Sequence, residues 1–192
     1  MKMLKQTALL AGILATGLLS AQSADMRNML KVGANVGVAL PQENASMAAG
    51  IDVAYQNLGI TGLGLGLATG YTHYFGRDNK GINNNDFGVI PVAALFRVYP
   101  KQTGFYFGTD LGYGFIVGDD KVAKNFDVNR PDGGFYINPE IGYHNRDWNF
   151  ALHYQRVFTG SKGEFSNQNY GAGNLGAAIS YNIPLGKGKD VQ

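Results

Sequence analysis

Residues 60–76 read ITGLGLGLATGYTHYFG, with glycine at 62, 64, 66 and 70. Leu63, Leu65, Leu67, Thr69 and Tyr71 alternate with Gly62, Gly64, Gly66, Ala68 and Gly70. A period of two assigns the two sets to opposite faces of one strand. Glycine weakens a strand interior, and its use there marks a place where another group comes close. This strand therefore has one greasy face and one face kept empty.

The same alternation recurs along the chain. Eight strand-like segments are predicted near 29–40, 48–57, 60–75, 87–99, 104–118, 133–145, 147–159 and 170–185. In 104–118, Phe105, Phe107, Leu111, Tyr113 and Phe115 oppose Tyr106, Gly108, Asp110, Gly112 and Gly114. In 170–185, Leu175, Ala177, Ile179 and Tyr181 oppose Asn174, Gly176, Ala178 and Ser180. The segment FGVIPVAALFRV (87–98) is apolar at both sets of positions, so its phase is not fixed by pattern.

The connections alternate too. NLG, YPKQTG and NRDW are short; PQENASM, GRDNKGINNND, GDDKVAKNFDVNRPDG and TGSKGEFSNQN are longer and polar. Tight turns at one end and long loops at the other are expected of a transmembrane β-barrel.

Which way the greasy face points separates a membrane barrel from a lipocalin-like soluble one. An eight-stranded interior is just wide enough for side chains to fill. The large apolar set exceeds that volume, whereas the glycine, alanine and short polar set fits it. The fold expected is all-β: a closed, antiparallel, eight-stranded up-and-down transmembrane barrel with its apolar face to lipid.

Composition agrees. The 192 residues are 45% hydrophobic and 16% charged, with 28 glycines, a net charge of +2 and no cysteine. Interspersed charges give no basic footprint for nucleic acid, and the absence of cysteine removes disulfides, thiolate catalysis and Cys-ligated zinc. Lys2 and Lys5 precede an uncharged run from Thr7 to Leu19 and the small residues SAQSA. That order is a secretory signal, and the run is too short for the roughly 20 residues of a spanning helix. The expected organisation is a cleaved signal peptide at 1–23, a barrel domain at 24–186 and a short periplasmic tail at 187–192.

A signal followed by eight alternating strands, alternating connection lengths and a glycine-rich inner face resembles the small outer-membrane β-barrel family typified by the OmpA membrane domain and OmpX. The resemblance covers the mature chain and is architectural, since the family has no catalytic signature to match. It implies a monomer in the outer membrane of a Gram-negative envelope, in contact with lipid and lipopolysaccharide and inserted by the barrel-assembly machinery. Members commonly end in an aromatic residue, whereas AISYNIPL is followed here by GKGKDVQ.

The inner face carries the chemistry. Lys31, Asp52, Arg97, Asp110, Glu140 and His153 are expected inside, with Tyr106 and Tyr136 near them. Buried charges persist only when paired and hydrogen-bonded. The expectation is a lumen plugged by a polar network centred on Arg97 with Glu140 or Asp110. The alternatives are a narrow passive channel or a route for hydrophobic solutes. Outward-facing Arg156 and His73 fall near the outer end, at headgroup height, as possible lipopolysaccharide contacts; the simpler reading is side chains snorkelling at the interface.

Catalysis is not expected. An ester-cleaving, lipid A-modifying site needs a nucleophile with a base in reach, and His73, His144 and His153 are dispersed, none beside a suitable serine. GAGNLG (171–176) fits a dinucleotide-binding pattern without the helix that should follow. The acidic stretch at Gly118–Asp120 lacks the ligand spacing of a calcium loop. No cofactor or metal is expected. The four long loops are left as the contact surface for an extracellular ligand, which the sequence does not identify.

Overall fold

A computed structural model describes residues 26–164 and 168–186; the signal segment and the tail lie outside the described residues. The elements in chain order are β1 (Asn28–Ala39), β2 (Ala45–Ile60), β3 (Leu63–Gly76), β4 (Asp78–Asn79), β5 (Ile82–Asn83) and β6 (Phe87–Val98), then β7 (Gly104–Gly118), β8 (Lys121–Ala123), β9 (Phe126–Asn129), β10 (Gly133–His144), β11 (Trp148–Phe158) and β12 (Ala172–Pro184).

Eight of these close into one barrel in the order β1-β12-β11-β10-β7-β6-β3-β2, and each neighbouring pair is antiparallel. Apart from the β1–β12 seam, every wall strand pairs with the wall strand next to it in sequence, so the topology is up-and-down. Closure leaves no edge, as a wall in lipid requires, because unpaired backbone groups find no water there. Among the described residues no helix is long and apolar enough to cross a membrane; any crossing is by strands.

The outward face is apolar along every wall strand. Phe105 is 68% exposed, Leu67 66%, Leu152 63% and Ile51 61%. A continuous belt of this kind is far larger than the apolar patches that soluble monomers tolerate. The phase of β6 is now fixed: Phe87, Val89, Ala93, Leu95 and Arg97 point inward, while Val92, Phe96 and Val98 point out.

Three features differ from the sequence reading. The connection after β2 falls at Thr61–Gly62 rather than at NLG. Gly62 has φ +77°, which a side chain rarely adopts, so it serves the turn and not the lumen. Asn57–Gly59 forms a bulge within the strand, where Gly59 N donates to Asn57 Oδ1 at 2.8 Å. The third difference lies in the loops between β3 and β6 and between β7 and β10. They fold into small hairpins, β4–β5 and β8–β9.

Candidate functional site: the barrel lumen

The centre of the lumen is built on a glycine. Arg97 on β6 and Glu140 on β10 both stand opposite Gly108 on β7, one from each side. A Cβ at Gly108 would collide with the Arg97 side chain. Its absence lets Arg97 lie across β7, where Nε sits 2.5 Å from Glu140 Oε1 as an ion contact and a terminal nitrogen donates to Asp110 Oδ1 at 2.8 Å. Asn138 Nδ2 donates to the other Asp110 oxygen at 3.0 Å. One guanidinium thus holds two carboxylates, and all three side chains are buried or nearly so.

The other predicted inner residues lie around this core, outside its ion pairs. Asp52 accepts from Asn35 Nδ2 at 2.8 Å. Lys31 is buried with Nζ 5.7 Å from the centre of the Tyr106 ring, and no described carboxylate is within ion-pair distance of it. His153 faces Glu140 across the β10–β11 pair, and its Nε2 has no protein hydrogen-bond partner. Lys31, Asp52, Arg97, Asp110, Glu140 and His153 all border one cavity of about 70 Å³. Asn138 Oδ1 and His153 Nε2 are buried without protein partners, and the cavity beside them has room for water.

Toward the loop end the lumen changes character. Tyr74, Phe87, Val89, Ile116, Tyr136 and Val157 turn inward and join Val122 and Tyr170, contributed by loops, in one apolar cluster. Tyr74 and Phe87 stack with ring centres 4.7 Å apart and planes 4° from parallel. The inner face is therefore small and polar over only part of its length. Sequence reasoning missed this seal. Its signal was present in the large apolar residues at inward positions near the loop end of β3, β6, β7 and β11.

Above the seal the loops bond to one another. Asn84 and Gln168 exchange amide hydrogen bonds at 3.1 and 2.6 Å, joining the β3–β6 and β11–β12 loops. Asn44 and Gly171 do the same at 2.9 and 3.3 Å, joining the first loop to the last. Arg130 ties the β7–β10 loop to its neighbours. It donates to the carbonyl of Asp86 and to the Tyr170 hydroxyl, and its guanidinium lies 5.0 Å over the Phe87 ring. The asparagine run at 83–85, read from sequence as part of a polar connection, places Asn84 and Asn85 in buried positions.

A closed wall, a greasy exterior and a filled lumen can be compared with known proteins. No family model and no curated protein matches the chain. Among solved structures, the outer membrane protein OprG from Pseudomonas aeruginosa matches with a TM-score of 0.50 at 11% identity, over 86% of this chain and 99% of that one. The chain has the fold of a small outer-membrane β-barrel. Lower-scoring matches are Neisserial surface protein A, with a TM-score of 0.44 at 14% identity over 83% of this chain and 99% of that one, and Ail from Yersinia pestis, with 0.47 at 10% over 81% and 99%.

On the outer wall of this barrel, Arg156 points outward on β11 with its guanidinium 5.9 Å from the Phe158 ring. His73 on β3 lies in a row, with the Tyr71 hydroxyl 3.2 Å from Nδ1 and Asp86 Oδ2 3.3 Å from Nε2. The tautomer carrying hydrogen on Nε2 satisfies both contacts. The row has the residue types of a proton relay, yet it borders neither the central lumen cavity nor the mouth of the barrel. Of the other histidines, His144 packs edge-on against Tyr99 at the turn end, with ring centres 4.6 Å apart, and His153 is mid-lumen. Among the described residues no group of three or more His, Cys, Asp and Glu side chains is placed to hold a metal ion.

Proposed function

We propose that the chain is an integral outer-membrane protein, exported through a cleaved signal peptide, whose role is structural and surface-facing rather than catalytic or pore-forming. The observation that carries this reading is the double closure of the lumen. Arg97 bridges Asp110 and Glu140 across the middle, and an apolar cluster fills the loop end. The apolar belt and the fold shared with OprG support the membrane setting. On this reading the short turns face the periplasm and the hydrogen-bonded loops form a preorganised contact platform at the cell surface. Its extracellular ligand is unidentified.

Arg156 contributes at headgroup height, where it meets a phosphate of lipopolysaccharide. His73 is the second contact on this reading, although Asp86 already takes its Nε2. The central test is conductance. Purified monomer in planar bilayers is expected to show no steady single-channel current, and a reproducible unitary current would overturn the closed-lumen reading. Arg156→Ala is expected to reduce co-purifying lipopolysaccharide without changing the unfolding temperature in lipid-free micelles.

A further inference from the structure

The outer wall carries a groove of about 700 Å³ that crosses five strands, from β7 through β10, β11 and β12 to β1. Register defines its banks. One outward row runs Phe105, Tyr143, Phe150, Ile179 and Ala34 across the paired strands, and the next runs Ile141, Leu152, Ala177 and Val36. Between the rows lie Asn35, Ala178, Ala151 and Gly142, which belong to the inward phase, so strand backbone forms the floor. Outward residues on one strand stand only about 7 Å apart, so large side chains on both rows would close the gap. Ala34 and Ala177, exposed on adjacent strands and in adjacent rows, keep it open.

The groove runs obliquely between the barrel ends. Phe105 is the second residue of β7, at its turn end, and Tyr143 the second-last of β10, whereas Ile179 and Ala34 sit in the middle of β12 and β1. This stagger is the shear that closing a barrel imposes on its strands. The groove therefore starts at the turn-side rim and climbs to mid-wall. At the rim stands an edge-on pair, Phe105 and Tyr143, with ring centres 6.0 Å apart. That is the place of an aromatic girdle at the membrane interface. Four interstrand steps give the groove a length of about 19 Å, enough to follow a chain through half of a hydrocarbon core about 30 Å thick.

We propose that this groove holds one acyl chain of a phospholipid from the turn-side leaflet. It is continuous with the apolar belt, where the surrounding medium is hydrocarbon, and its banks are exposed apolar side chains. Its run from rim to mid-wall is the path of a chain whose headgroup stays at the interface. Lipid tails are as apolar as the wall, so what favours this chain over its neighbours is van der Waals contact with the floor and both banks at once. A second copy of the chain would need a contact of about 800 Å² on each partner, whereas a slot between two side-chain rows suits a single hydrocarbon chain. The inference rests on the membrane setting and the orientation proposed above: with the turns toward the periplasm, the chain comes from the leaflet opposite lipopolysaccharide.

The test uses the full mature chain, folded in micelles of a deuterated non-ionic detergent, with dioleoyl phosphatidylcholine as the probe. Nuclear Overhauser contacts from the lipid chain are expected at the methyls of Ala34, Ala177 and Leu152, saturating near one lipid per barrel. Contacts at Leu67 and Val92, outward on β3 and β6, are expected to stay weak and unsaturated. Ala177→Phe, checked for an intact barrel by heat-modifiable gel mobility, plugs the slot and is expected to bind about tenfold more weakly, the effect of losing about ten close atom contacts. Val92→Phe, a substitution of the same kind on the opposite wall, is expected to leave binding unchanged. Equal, unsaturated contacts around the whole belt, or undiminished binding by Ala177→Phe, would overturn the assignment. So would a dimer in micelles that Ala177→Phe dissociates, since that would give the groove to a second copy. A chain that folds without detergent or lipid would overturn the membrane reading itself, and the occupant of the groove with it.

Discussion

The middle of the lumen and its loop end fill the same narrow cylinder by opposite means. In the middle, a guanidinium, two carboxylates and an asparagine are held by specific short contacts beside a cavity. At the loop end, stacked rings and aliphatic side chains exclude space without directional bonds. The difference teaches where each region is fragile. A polar network fails when one partner is removed, because the remaining charges are stranded. An apolar cluster fails in proportion to the volume lost.

The largest effect is therefore expected at Arg97. Arg97→Met leaves Asp110 and Glu140 buried without their shared cation, a loss of about 3–5 kcal/mol for a broken buried pair. Urea titration of the folded barrel in micelles should show this as a lower midpoint. Adding Asp110→Asn and Glu140→Gln to that variant should recover much of the loss, because no stranded charge remains. A triple variant no more stable than Arg97→Met would mean that the contacts are packing and not charge pairing.

Phe87→Ala comes next, and it probes the other region. It removes the ring that stacks on Tyr74, approaches Tyr170 and lies beneath Arg130, for a cost of about 3 kcal/mol. Neither this substitution nor the triple variant should open the lumen alone, because the other closure persists. Their combination is expected to produce single-channel current in planar bilayers. Current from either alone would show that one region carries the whole seal.

Glycine gives a smaller and more local contrast. On β3, a Cβ at Gly64 would come 2.8 Å from Gln56 Nε2 and 3.1 Å from the Tyr99 ring. Leu65 beside it faces outward. Gly64→Phe is expected to overfill the turn end, at about 1–3 kcal/mol or more for overpacking, with reduced folding yield into vesicles. Leu65→Phe should fold like the parent chain, and equal yields from the two would contradict the phase assigned to β3.

That pair of residues also shows how far the sequence could be read. Period-two alternation sets the faces of Leu65 and Gly64 whatever surrounds them, which is why the eight wall strands and their alternating connections were legible. What the β3 glycines accommodate was not. The pattern suggests that they leave room for Tyr106, Tyr136 and Arg97. In the structure, Gly64 instead meets Gln56 and Tyr99, and a Cβ at Gly66 would overlap the backbone of Tyr55. The glycines that accommodate Arg97 and Tyr106 are Gly108 and Gly142 on other strands. Such pairings depend on register and barrel closure, which no local window contains. The seal was hidden for a related reason. Val122 and Tyr170 enter it from connections whose composition reads as solvated loop, and only the joining of several loops into a cap buries them.

The smallest expected effect lies at the surface of that cap, where neither type of closure operates. In the β8–β9 hairpin Lys121 Nζ donates to Asn129 Oδ1 at 2.7 Å and pairs with Asp127. The hydrogen bond and charge of Lys121 hold the Asp127 carboxyl below the usual carboxylate range, although the group is fully exposed to solvent. Because the folded-state value is depressed, the contact is present above the unfolded value of about 4 and is lost as the pH falls through the folded value. Solvent screening keeps its effect on stability small. A carboxyl-detected titration should place the Asp127 midpoint below the ordinary range, and Lys121→Gln should return it there. The lumen should be unaffected, since Lys121 and Asp127 border neither closure. A change in the urea midpoint on Lys121→Gln as large as that of Phe87→Ala would mean that the hairpin is part of the seal, and the division between a packed lumen and a polar surface would have to be redrawn.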